Sequence, residues 1–225
     1  MTTQSSEVTH FEFVVRAQCE LADAFASLNG KPKLDLITNY GVHCAAHINR
    51  AVDGFICLRN LQRDHSARLL VRPALEAMFR LLAIGARPEL LFRIARTEHL
   101  EDRKWALRVS SGGDANLEAD LDRQWSEFKV EYQTHFSDHV LEEQKISLHD
   151  LAVEAEVGKY YDSHYRLYCQ YTHASLRAST DALREFHGED SKAMCLPSLL
   201  AIQAVCRAGG VSPQLSTLSA ELKQM

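Results

Sequence analysis

Apolar residues along this chain recur three and four positions apart, the spacing that gives an α-helix one buried face. Between about Ser6 and Leu28 the series Phe11, Val14, Val15, Ala22 and Phe25 predicts an amphipathic helix, and Asn29-Gly30 supplies its stop. The turn Lys31-Pro32-Lys33 leads to a second helix from about Asp35 to Gln62. A third runs from about Asp64 or Ser66 to Gly85, with Pro73 either kinking it or marking a fresh start. Pro88 opens a fourth, which Leu90, Leu91, Ile94, Leu100 and Trp105 carry to about Ser110. Asp114 suits the N-cap of a fifth, through Leu117, Leu121, Trp125 and Phe128 to about Phe136. After a polar loop come a short helix from Ser147 to Val157, a long one from about Lys159 to Phe186, and a last pair over Ser191 to Ala208 and Ser212 to Lys223. No segment alternates apolar and polar residues between turn signals, and no fixed-period repeat appears, so the fold class is all-α, a multi-helix bundle.

A chain of 225 residues with 46% hydrophobic content can bury one sizeable core. The stretch Ser110-Ser111-Gly112-Gly113-Asp114 reads as a turn rather than a linker, so residues 1–225 form a single domain, with residues 1–6 expected as a disordered terminus. That terminus lacks the basic and apolar pattern of a targeting segment, and charges interrupt every apolar run well before the roughly 18 residues of a membrane helix. No membrane association is expected. The six cysteines, at positions 19, 44, 57, 169, 195 and 206, contain no C-x-x-C pair, which suits reduced thiols and a cytoplasmic location. A formal charge of −5 argues against a protein that coats nucleic acid through bulk positive charge and leaves room for a local basic site.

The late helix concentrates the candidate chemistry. Projected at about 100° per residue from position 160, it gathers Tyr161, Tyr165, Tyr168, Thr172, Ser175 and Ser179 on a core side, flanked by Leu167, Ala174 and Ala178. Opposite lie Arg166, Gln170, His173, Arg177, Thr180 and Arg184. Seven residues make close to two turns, so Arg166 and His173 point the same way, about 10 Å apart at Cα. No serine or cysteine nucleophile and no carboxylate cluster accompanies them. RNA supplies its own nucleophile, the 2′-hydroxyl. Its cleavage needs a proton-transfer group near neutral pH, which histidine provides, and a fixed positive charge on the phosphate, which a guanidinium provides better than lysine. Arg177 and Arg184 extend the stripe as phosphate contacts, with Gln170 beside them.

The stretch Tyr165-Arg166-Leu167-Tyr168-Cys169-Gln170-Tyr171-Thr172-His173-Ala174-Ser175 resembles the signature of HEPN proteins, an arginine and a histidine separated by four to six residues on a late helix. A closer likeness, spanning about residues 40 to 185, is to uncharacterised bacterial helical proteins that pair an Arg-x3-Glu motif, here Arg72-Pro73-Ala74-Leu75-Glu76, with a Tyr-Arg…His-x-Ser motif. The resemblance implies a HEPN-like bundle and a metal-independent endoribonuclease of toxin–antitoxin or phage-defence type, with Arg166 and His173 as active pair. It also implies a homodimer and an antitoxin or other partner protein. Leu167 departs from the pattern, since active members often carry a polar residue after the arginine. The same polar face equally suits a non-catalytic module that binds a partner protein or nucleotide.

Other features have plainer readings. Arg72 and Glu76 form an i,i+4 ion pair that, if buried, would support Arg166 or His173. Arg59…His65 is a second Arg…His spacing, but six residues turn the side chains about 120° apart across a helix end. His43/His47 and His135/His139 have the four-residue spacing of metal ligands on a helix without an HExxH motif, and no metal or other cofactor is expected. The tyrosines at 160, 161, 165, 168 and 171 read mostly as packing residues, and the charge-dense stretch 98–104 as a solvated face.

Overall fold

A computed structural model of the chain describes residues 3–109, 115–172 and 187–211. Among these residues the structure is helical, without strands. Helix α1 (Thr3–Ala26) begins ahead of the expected start, inside the terminus expected to be disordered. It closes at Gly30, whose φ of +77° is a left-handed conformation that costs glycine little. Helix α2 (Leu36–Asn60) is capped by Asp35, whose carboxylate accepts from the amides of Ile37 and Thr38, each at 3.1 Å.

The third predicted helix is two. α3 (Asp64–Arg68) and α4 (Val71–Ala86) meet at Leu69-Leu70. Proline clashes with the carbonyl four residues before it, which for Pro73 is Leu69; in the first turn of a new helix the missing donor costs nothing. Pro73 therefore marks a fresh start. A 3-10 turn at Pro88–Leu90 leads into α5 (Leu91–Val109), and α6 is Ala115–His135. The turn expected over 110–114, the Asp114 cap and the helix expected over 212–223 lie outside the described residues.

α7 (Leu148–Glu154) starts with a reciprocal capping box between Ser147 and Asp150. A single turn, α8 (Gly158–Tyr160), a π-helical turn (Tyr161–Tyr165) and α9 (Arg166–Thr172) follow, then α10 (His187–Gly209). Pro197 sits inside α10 and has no amide for the Ala193 carbonyl; the Tyr160 hydroxyl lies 3.5 Å from that carbonyl.

Two apolar clusters hold these helices. The larger joins Phe13, Val14 and Leu21 of α1, Ile48, Val52 and Phe55 of α2, Leu75, Met78 and Phe79 of α4, and Met194, Ile202 and Val205 of α10. α1 lies along α10, and α2 packs against both α4 and α10. The smaller cluster sits under the α5–α6 hairpin, where Phe92, Trp125 and Tyr132 meet Ile84 of α4 and Leu151 of α7. Cys44, Cys195 and Cys206 are buried as expected of small apolar residues, whereas Cys19 and Cys57 are exposed; all are free thiols. Among the described residues no helix is long and apolar enough to cross a membrane.

Residues 98–104 are not simply a solvated face. His99 is buried and stacks on Trp125 at 5.1 Å, with Asp122 3.7 Å from its Nε2. Burial, then Arg96, holds the His99 imidazole below its ordinary value of 6.5, with Asp122 opposing. The unfolded chain thus binds this proton more readily than the fold does. The contribution of neutral His99 is complete above pH about 6.5 and is lost as pH falls through the folded value. Urea titrations should show the unfolding midpoint dropping between pH 7.5 and 5.5, with a smaller drop in His99→Gln. An identical pH dependence in that variant would contradict this role for His99.

Candidate functional site

Glu76 and Arg72 lie one turn apart near the start of α4, both half-buried, and the Arg72 Nε donates to Glu76 Oε1 at 2.8 Å. The pair reaches well beyond its own helix. The Tyr165 hydroxyl donates to the same Oε1 at 2.8 Å, and Arg72 Nη1 donates to Thr172 Oγ1 at 2.7 Å. Thr172 in turn donates to the Cys169 carbonyl at 3.0 Å, so its hydroxyl is engaged in both senses. The Arg72 guanidinium also lies over the Tyr165 ring, 5.7 Å from its centroid. The Arg-x3-Glu stretch thereby grips Tyr165, just ahead of α9, and Thr172 within it. Burial, then hydrogen bonding with Cys169 and Glu76, pushes the Tyr165 phenol well above its ordinary value, so it serves as a permanent donor.

A second polar cluster lies beside the first and is almost closed to solvent. Arg68 Nε donates to Asp190 Oδ2 at 2.9 Å, and the Tyr168 hydroxyl donates to Oδ1 at 2.8 Å. The Arg68 guanidinium covers the Tyr171 ring at 4.7 Å. Arginines four positions apart on α3 and α4 are thus interleaved with the tyrosines of the π-turn and α9. This bears out packing as the role of Tyr165 and Tyr168, both buried, while Tyr160, Tyr161 and Tyr171 are half-buried.

The expected uninterrupted helix from Lys159 contains the π-turn instead. Such a turn closes i→i+5 bonds and winds more slowly than an α-helix, bringing residues four apart toward eclipse. Two ring pairs exploit this: Tyr160 stacks on His164 at 4.2 Å and Tyr161 on Tyr165 at 4.8 Å. The latter pair packs on Phe79 of α4.

Arg166 follows directly, at the start of α9, with its side chain 69% exposed and Nη1 3.4 Å from Asp162 Oδ1. Gln170, one turn on, is half-buried. His173, Arg177 and Arg184 lie outside the described residues. The structure thus places Arg72, Glu76, Arg166 and Gln170 on or against one helix, α9. Sequence reasoning missed Tyr165 and Thr172 as polar partners, and Arg68 with Asp190 altogether. A signal for the first two was present: hydroxyls on an otherwise apolar helix face need buried partners.

The remaining candidates separate. Arg59 donates to Asp64 at 3.0 Å across the break between α2 and α3, as a helix-end corner requires. His43 and His47 on α2 bring their Nε2 atoms within 3.0 Å. His135 ends α6 and His139 lies beyond it, so that pair does not share a helix as expected; both rings contact Phe136 instead. Among the described residues no group of three or more His, Cys, Asp or Glu side chains is arranged to hold a metal ion.

A family model described as a family of unknown function, DUF5677, matches residues 38–192, a span that contains both polar clusters. No curated protein and no solved structure matches the chain.

Lysine at position 72 would keep the charge but present one point donor where the guanidinium serves Glu76 and Thr172 from two nitrogens. Arg72→Lys should lower unfolding stability by about 1–2 kcal/mol in urea titrations, the scale of one charge-assisted hydrogen bond. An unchanged midpoint would mean that the bond to Thr172 contributes nothing.

Proposed function

We propose that this chain, which belongs to the DUF5677 family, is a HEPN-like helical bundle acting as a metal-independent endoribonuclease of a bacterial toxin or defence system. The observation that carries the reading is the double grip of Arg72 and Glu76 on Tyr165 and Thr172. It joins the two motif stretches and anchors α9, the helix that carries Arg166.

In this reading His173 removes the proton from the RNA 2′-hydroxyl or delivers one to the departing 5′-oxygen. Arg166 balances the charge that accumulates on the phosphate oxygens. The 2′-oxygen bonds to phosphorus as the bond to the 5′-oxygen breaks, leaving a 2′,3′-cyclic phosphate and a 5′-hydroxyl. Gln170, Arg177 and Arg184 contact the flanking backbone. The exposed ion pair between Arg166 and Asp162 opposes phosphate binding only weakly, since such pairs contribute about 0–1 kcal/mol. A cytoplasmic homodimer with an antitoxin or other partner belongs to the same reading.

Asp162 also favours a second reading. A carboxylate beside Arg166 repels a phosphodiester yet suits the mixed charge of a protein surface. A non-catalytic module binding a partner protein through this face follows from that.

Incubation of purified protein with total RNA in EDTA separates the two. The first reading expects cleavage with cyclic phosphate ends in the wild type and a loss of about 10²-fold or more in Arg166→Ala and in His173→Ala. Intact RNA with all three proteins folded transfers the assignment to the binding module.

A further inference from the structure

A buried ion pair is an expensive way to stabilise a fold. Removing two charges from water costs several kcal/mol per ion, and well-packed apolar replacements are often neutral or stabilising. Arg68 and Asp190 have side chains only 3% and 4% exposed. Burial pushes the Asp190 carboxyl above its ordinary value, with Arg68 and Tyr168 only opposing it. The geometry is nonetheless good, with both carboxylate oxygens receiving a donor at 2.8–2.9 Å. The cluster draws one residue from each of three elements: Arg68 from the five-residue helix α3, Tyr168 from α9 and Asp190 from α10. Stability alone does not account for this arrangement, whereas a need to fix the place of α9 does.

We infer that Arg68, Tyr168 and Asp190 are positioning residues for α9, holding the helix that presents Arg166 and Gln170 in one register against the bundle. α9 runs on directly from the π-turn and presents Tyr168 to the core. Its hold on the bundle comes from a line of polar grips. The Arg72–Glu76 pair takes Tyr165 and Thr172, and the Arg68–Asp190 pair takes Tyr168 and, through the guanidinium face, Tyr171. Directional hydrogen bonds fix rotation of α9 about its own axis, which apolar contacts of the same tyrosines leave looser. The functional consequence for Arg166 rests on the ribonuclease reading; the positioning itself does not.

The test compares wild type with the triple variant Arg68→Met, Tyr168→Phe, Asp190→Val, which replaces all three polar side chains of the cluster by apolar groups. Amide hydrogen exchange is followed across the chain, together with RNA cleavage in EDTA. Exchange in 166–172 should accelerate about tenfold or more while amides of α1, α2 and α10 keep their protection and the unfolding midpoint stays level or rises. Cleavage should fall through kcat with KM little changed. If the triple variant does not fold, Tyr168→Phe alone should give the same local acceleration. Unchanged exchange in α9, or an acceleration spread evenly over every helix, overturns the inference. A wild type that leaves RNA intact sinks the ribonuclease reading instead, and the exchange pattern still decides this one.

Discussion

One carboxylate oxygen links the two halves of the site. Glu76 Oε1 receives both the Arg72 guanidinium and the Tyr165 hydroxyl, each at 2.8 Å, while the same guanidinium reaches Thr172. The group is half-buried, where a hydrogen bond to a charged partner is stronger than in water and an unmade one is costly. Each member has few alternatives once the others are in place. The place of α9 on α4 is therefore tied to this oxygen as well as to the apolar packing of Tyr168.

The apolar clusters provide what that arrangement needs. α1, α2, α4 and α10 form a rigid frame through Phe13, Phe55, Phe79 and Met194. Phe79 belongs both to that frame and to the ring stack of Tyr161 and Tyr165, so the core supports the π-turn directly. The α5–α6 hairpin is built on the second cluster, with aromatic stacking on Trp125 and ion pairs along its length. Among the described residues its helices share no substantial contact with α9.

The all-α class was legible because hydrophobic periodicity is a local property, and the caps at Asp35 and Ser147 follow from side-chain chemistry at a helix start. Helix ends were less so. Gln62 and Glu156 take positive φ values of 56° and 58° and close their helices as glycine does at Gly30, with no glycine to mark them. The π-turn left no trace in the apolar spacing, yet Tyr161 still packs on the core side, against Phe79. Arg72 and Glu76 were visible as a pair, but their partners stand 89 and 100 residues away, and Asp190 lies 122 residues from Arg68. No local rule connects residues so far apart. The match over residues 38–192 supplies a family without an activity, so the ribonuclease proposal rests on the sequence chemistry of Arg166 and His173.

A double-mutant cycle between Glu76 and Tyr165 tests most directly whether this shared oxygen holds α9. Unfolding free energies of wild type, Glu76→Gln, Tyr165→Phe and the double variant give the coupling between the two side chains. The account predicts a coupling of about 0.5–3 kcal/mol, the range for residues in one hydrogen-bond network. Additive effects of the two substitutions would show that Tyr165 is held by packing alone and would contradict it.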